Sequence, residues 1–277
     1  MTWGVWGKNY SIAQMSDLII EALSIGISTF DHADIYGGYT TEAAFGAAFK
    51  QSKVERSSVQ FISKCGIQLP STERPLSVKH YDYTKEHILK SVELSLQNLK
   101  TDYLDVLLLH RPSPLMDPHE IALAIEQLKV QGKVKSFGVS NFTPAQKDLL
   151  RSENFIEWNQ IECSLTQPEA MFNGTYNYMM HHQIGAMAWS PLGKYFKNDH
   201  PQKTRLKPLI NKMCEIYSAS EDQVLLAWLL KHPAEIFPIV GTTQAPRLKK
   251  ALEALKIKLT FQDWFLLLEA SLGHEVP

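Results

Sequence analysis

Tyr103-Leu104-Asp105-Val106-Leu107-Leu108-Leu109-His110-Arg111-Pro112 is an apolar run closed by polar residues, and Asp117-Pro118-His119-Glu120, Gly132 and a second apolar run, Val134 to Val139, follow it. Runs of this length bounded by turn residues read as buried strands. Between them Asp117 offers an N-cap, Pro118 a first helical residue and Glu120 a capping-box acid, with Gly132 as the stop. Two strands joined through a helix form the crossover unit of a parallel sheet.

The same grammar repeats in both directions. Thr84 opens a helix with Ile88, Leu89, Val92, Leu96 and Leu99 on one face, and Thr143-Pro144-Ala145-Gln146 and Ser220-Glu221-Asp222-Gln223 open two more. The remaining strand candidates are Met1 to Trp3, Ile27 to Asp31, Gln60 to Lys64, Trp158 to Gln160, Gly185 to Ser190 and Ile236 to Val240, and the run at Tyr103 extends to His110. Eight strand-helix units within 277 residues predict an α/β fold, a (β/α)8 TIM barrel, with residues 1–277 as a single domain. A doubly wound sheet is the alternative, but no Gly-x-Gly-x-x-Gly follows any strand candidate.

A chain 44% hydrophobic and 21% charged is an ordinary globular one. Lys plus Arg number 28 against 29 Asp plus Glu, a net charge of -1, so no nucleic-acid partner is expected. Cys65, Cys163 and Cys214 provide neither a disulfide framework nor a paired zinc motif, which points to a reducing, cytoplasmic setting. The longest apolar stretch, Val224 to Leu230, is far short of the ~20 residues that cross a bilayer, so no membrane partner is expected and a monomer is.

In a (β/α)8 barrel the chemistry lies at the carboxyl ends of the strands. Three of these ends carry Asp31, Lys64 and His110, and period-two alternation sets them on the faces of Thr29, Ile62 and Leu108. Tyr36 lies on the loop that leaves Asp31. An acid, a lysine, a histidine and a tyrosine gathered at one mouth make a carbonyl-reduction set. A phenol's ordinary pKa of ~10 is high for proton exchange at neutral pH. An ammonium about 4 Å away, at an effective dielectric of about 20, favours the phenolate by up to ~4 kcal/mol before a facing carboxylate cancels part of it. Asp31 would orient Lys64, and His110 would aim the carbonyl oxygen at Tyr36. A metal-hydrolase reading of Asp31, His32, Asp34 and His110 is weaker, because Lys64 would repel the metal; no metal is expected.

Phe30-Asp31-His32-Ala33-Asp34-Ile35-Tyr36-Gly37, Ser63-Lys64 and Asp105 through His110-Arg111-Pro112 resemble the Asp-Tyr-Lys-His tetrad of the aldo-keto reductases, and within them a bacterial branch of oxidoreductases. The resemblance implies a (β/α)8 barrel and the NADP-dependent reduction of a small-molecule aldehyde or ketone, with Tyr36 as proton donor. For the cofactor it implies Thr2 and Trp3 on the nicotinamide side with Asp31, and Ser140, Asn141 and Gln160 at the carboxamide. It further implies Trp189 stacked on the nicotinamide with Ser190, Pro191, Leu192 and Gly193 at the pyrophosphate. Gly241, Thr242, Thr243, Gln244 and Arg247 correspond to the adenosine-phosphate loop. The family also extends to nucleotide-bound, redox-sensing subunits of membrane channels, the alternative function.

Two departures qualify the resemblance. The chain opens at Met1-Thr2-Trp3-Gly4, where the family has a floor hairpin and a full first strand, so these are expected to be missing. Gly241 stands where many members have lysine, and Lys250-Ala251 replace an acid and an amide that often bind adenine. Arg247 suits a 2′-phosphate, so NADPH is expected over NADH.

Overall fold

A computed structural model describes residues 2–71, 74–153, 155–197 and 201–276. The chain divides into two compact units, Met1–Asn159 and Gln160–Pro277.

In the first unit helix α1 (Ile12–Ser24) precedes strand β1 (Thr29–Asp31), and α2 (Thr41–Ser52) leads to β2 (Gln60–Cys65). A small antiparallel hairpin, β3 (Ile67–Gln68) with β4 (His80–Tyr81), comes before α3 (Lys85–Leu99) and β5 (Leu104–Leu109). Helix α4 (Pro118–Val130), β6 (Val134–Ser140) and α5 (Pro144–Arg151) complete the unit, and β7 (Trp158–Glu162) carries the chain into the next. The main strands run parallel in sequence order, with Phe30 beside Phe61, Ile62 beside Val106 and Leu108 beside Gly138. The punctuation read from the sequence is present. Asp117 caps α4 by accepting from His119 N, and Thr143 with Gln146 closes a reciprocal box at α5.

The predicted strand at Met1 to Trp3 is corrected: Met1 is outside the described residues, and Thr2 and Trp3 lie in turns. Lys8 N donates to Thr2 O and Tyr10 N to Trp3 O, both at 2.9 Å, so the segment satisfies its backbone by folding on itself. Gly7 permits this, because a Cβ there would lie 1.9 Å from Thr2 O. Trp3 turns its ring inward against Phe30 and Phe45, at 6.1 and 5.9 Å, and Phe61 and Phe49 extend this aromatic core. At the amino ends of β2 and β5, Arg56 donates to Asp105 at 2.7 Å while its guanidinium covers the Phe61 and Tyr103 rings.

The second unit holds α6 (Thr175–His181), β8 (Gly185–Trp189), α7 (Pro201–Tyr217), α8 (Glu221–Leu230), β9 (Phe237–Pro238), α9 (Ala245–Glu253) and α10 (Phe261–Leu272). β8 and β9 pair in parallel, with Met187 beside Phe237. The apolar stretch from Val224 is buried on every side as helix α8. Its Trp228 stacks on Trp264 at 4.8 Å, and each indole N–H donates to the other residue's carbonyl, at 3.2 and 2.9 Å. This is the strand-helix alternation of the (β/α)8 class. Among the described residues no helix is long and apolar enough to cross a membrane.

Gly138 is where β6 presses hardest on its neighbours. A Cβ there would lie 2.5 Å from Trp158 O, 2.7 Å from Trp158 Cβ and 2.8 Å from Leu108 Cδ2. Gly138→Ala is expected to destabilise the fold by about 1–3 kcal/mol through overpacking, read as a lower urea midpoint at unchanged slope.

Candidate active site

The first unit brings Asp31, Tyr36, Lys64 and His110 together. β1 ends at Asp31, and a tight turn follows in which Tyr36 N donates to Ala33 O at 3.1 Å and Gly38 N to Ile35 O at 3.0 Å. Gly37 and Gly38 both have φ of +63°, and a Cβ on Gly37 would meet Thr41 Oγ1 at 2.4 Å. Only glycine suits that position, and the turn it allows swings Tyr36 back over the strand ends.

Lys64, at the end of β2, is 1% exposed. Its Nζ donates to both Asp31 carboxylate oxygens, at 2.8 and 2.7 Å, and to His32 O at 2.8 Å, with a longer 3.4 Å contact to the Tyr36 hydroxyl. Burial opposes the ammonium, but Asp31 and then Tyr36 outweigh it, so the Lys64 pKa is raised and the group stays charged. His110 follows β5 and lies edge-on to Tyr36, ring centroids 5.9 Å apart. Burial, then the charges of Lys64 and Arg111, push its pKa down to about 2, and its Nδ1 is buried with no hydrogen-bond partner among the described residues. The imidazole is therefore neutral at physiological pH, with one N–H to donate.

His32, by contrast, serves through its backbone. Its ring is fully buried against Phe45 and Phe61, and burial holds its pKa well down. Among the described residues no group of three or more His, Cys, Asp or Glu side chains is arranged to hold a metal ion, and Lys64 donates to both Asp31 oxygens.

Sequence reasoning passed over a second carboxyl group. Glu42 is buried on α2 and accepts from Ser63 Oγ at 2.5 Å and Ser95 Oγ at 3.0 Å. Its signal was its spacing, since Glu42, Phe45 and Phe49 share one helix face. Asp34 lies nearby in the field of Glu42 and accepts from Ile35 N at 2.7 Å.

Of the residues assigned to a cofactor, the first unit holds Thr2, exposed in its turn, and Trp3, in the aromatic core. It also holds Ser140, buried at the end of β6, and Asn141, left-handed at φ +64°, whose Nδ2 donates to Ser140 Oγ at 2.7 Å. In the second unit Gln160 is buried with its Nε2 3.8 Å from Met187 Sδ, and Trp189 ends β8 half-buried. Ser190 and Gly193 are left-handed at φ +51° and +55°, and Gly193 N donates to Ser190 O at 2.8 Å, a turn that includes Pro191 and Leu192. Gly241 is exposed, and Thr242 and Thr243 lead into α9, where Gln244 N donates to Thr242 Oγ1 at 3.2 Å. Arg247 is exposed and its guanidinium has no ion-pair partner among the described residues.

Residues 1–270 match the aldo/keto reductase family, and the chain belongs to that family of oxidoreductases acting on carbonyl compounds. Uncharacterised oxidoreductase YcsN of Bacillus subtilis is 46% identical over 282 residues, 99% of this chain and 94% of its own length. A 6-dehydroglucose reductase of Agrobacterium fabrum is 39% identical over 285 residues, 100% of this chain and 95% of its own. An aldo/keto reductase of Klebsiella pneumoniae, solved in complex with NADP and acetate, shares the fold with a TM-score of 0.78 at 23% identity, over 92% of this chain and 84% of that one.

Burial, then the charge of Glu42, raises the Asp34 pKa from 3.8 to about 8. The folded state thus holds a proton that the unfolded state releases between those values, and stability falls as pH rises through that window. Asp34→Asn keeps the acceptor for Ile35 N and abolishes the ionisation. Denaturant unfolding is expected to show the variant at least ~1 kcal/mol more stable than the parent at pH 8, the advantage vanishing toward pH 4.

Proposed function

We propose that the protein reduces an aldehyde or ketone to the alcohol with NADPH, Tyr36 giving the proton and Lys64, Asp31 and His110 acting with it. The observation that carries this reading is the Lys64 ammonium set between the Asp31 carboxylate and the Tyr36 hydroxyl in a buried site. As the phenol gives up its proton, negative charge grows on an oxygen 3.4 Å from that ammonium and is stabilised there. Asp31 keeps Lys64 charged and fixes its direction. A substrate oxygen beside Tyr36 accepts a hydrogen bond from the neutral His110, which orients the carbonyl without competing as an acid.

The residues present suit a nicotinamide dinucleotide. Arg247 offers unpaired guanidinium donors to a phosphate, and the Ser190–Gly193 turn presents backbone at left-handed positions, as close approach to a pyrophosphate requires. On this reading Thr2, Trp3, Asp31, Ser140, Asn141, Gln160 and Trp189 are nicotinamide residues, Ser190 to Gly193 pyrophosphate residues, and Gly241 to Gln244 with Arg247 adenosine-phosphate residues. When bound, the reduced cofactor supplies the hydride. The Klebsiella pneumoniae structure holds NADP, and the name of the Agrobacterium fabrum relative is that of a reductase, in accord with this assignment.

Tyr36→Phe is expected to lower kcat for NADPH-dependent reduction of 4-nitrobenzaldehyde at least ~100-fold, the usual worth of a positioned acid. Equal rates for parent and variant would remove Tyr36 from the reaction. Cofactor titration followed by tryptophan fluorescence is expected to give NADPH a tenfold to hundredfold advantage over NADH, about 1.5–3 kcal/mol for a charge-assisted contact. Arg247→Ala should erase most of that advantage; equal affinities in the parent would overturn the preference.

A further inference from the structure

The β3–β4 hairpin, inserted between the strand of Lys64 and helix α3, carries two cations that the chemistry above does not use. The guanidinium carbon of Arg74 lies over the Tyr39 ring, 3.6 Å from its centroid. Among the described residues its side chain makes no hydrogen bond or ion pair, so its N–H edge stays available around the stacked face. Its platform is rigid. The Tyr39 hydroxyl accepts from Leu69 N at 2.9 Å and donates to Ile67 O at 3.4 Å, and Tyr39 itself is held at φ +71°. Tyr39 and Tyr36 pack against one buried cluster, Ala33, Ile35 and Ile67, which places the Arg74 platform in the same part of the unit as Tyr36.

Among the described residues no acid forms an ion pair with Arg74. Asp34, whose carboxyl feels the charge of Arg74, is driven up to about 8 by burial and by Glu42 and is mostly protonated at pH 7. Lys79, exposed on the same hairpin, adds a further positive charge in the surroundings of His110. A guanidinium held over an aromatic ring, with no ion pair among the described residues, matches the two oxygens of a carboxylate or a phosphate in a paired contact.

We propose that Arg74, on its Tyr39 platform, recognises an anionic substituent, a carboxylate or a phosphate, on the carbonyl compound that the protein reduces. The substrate class is thus an aldehyde or ketone with a negative group held away from the reacting carbon. Lys79 assists by drawing such a molecule toward the hairpin. This rests on the carbonyl-reductase reading for the reaction but not for the binding of the anion.

The test compares kcat/KM for 4-carboxybenzaldehyde and 4-nitrobenzaldehyde, two activated aldehydes that differ in charge at the far end of the ring. The ratio of carboxylate to nitro substrate is expected to fall about tenfold or more in Arg74→Met, which keeps an apolar stem on Tyr39, and to fall less in Arg74→Lys. In the parent the ratio should also decline with added salt. A ratio that Arg74→Met leaves within about twofold of the parent overturns the proposal. Calorimetric titration with 4-(hydroxymethyl)benzoate onto NADP-saturated protein reads the same contact without turnover, and Arg74→Met should weaken it by a similar factor; unchanged binding also overturns the proposal. The two readings fail separately. A parent that reduces neither aldehyde yet binds the benzoate through Arg74 defeats the reductase assignment and supports the anion site. A parent that reduces 4-nitrobenzaldehyde with no dependence on Arg74 for the carboxylate does the reverse.

Discussion

The ammonium of Lys64 is the constraint on which the first unit depends. An ion this deeply buried costs several kcal/mol unless it meets charge and hydrogen bonds. Here both oxygens of Asp31 and the carbonyl of His32 meet it. Those acceptors come from the last residue of β1 and the first beyond it, so the pairing of β1 with β2 cannot slip. With Asp31 opposite Ile62, a shift of one residue would turn Lys64 to the other face and leave two unmatched charges. Strand register and the charged centre are thus settled by one contact.

Two successive residues of β2 are gripped from opposite faces. Lys64 is held by Asp31, whereas Ser63, fully buried, donates to Glu42 on α2, which Ser95 on α3 also reaches. At the other end of the same strands Arg56 and Asp105 form a second ion pair, tied to Phe61 N and covered by aromatic rings. That end ties strand to strand, and on the proposed reading the Lys64 end serves chemistry, the division expected of parallel strands in this fold class.

Much of this was legible in the sequence because long apolar runs and helix caps are local signals. Seven of the eight predicted strands have counterparts, and Asp31, Lys64 and His110 fell on one side because period-two alternation fixes the side-chain face, while Tyr36 was legible only as the loop residue that follows Asp31. The strand at Thr2 and Trp3 failed because Gly4 and Gly7 let the backbone close into turns, a preference that three residues of apolar pattern do not reveal. The β3–β4 hairpin was missed because two-residue strands are shorter than any periodicity. Glu42 was passed over because a lone acid in a helix reads as a solvated face, and the serines of β2 and α3, with Asn98 and the charge of Lys64, make its burial tolerable. The stack of Arg74 on Tyr39 joins positions 35 residues apart, which no local pattern encodes.

The pairing of Lys64 with Asp31 also shapes how such a chain can change over generations. Loss of either partner alone strands the other in the interior, so single substitutions lead downhill in stability and the pair resists erosion whether or not turnover is under selection. Tyr36 is half-buried and meets the lysine through its hydroxyl at 3.4 Å and its ring at 5.2 Å, so its replacement leaves no uncompensated charge behind. On the proposed reading, a chain released from selection for turnover can lose the tyrosine at less cost in stability than the lysine or the aspartate.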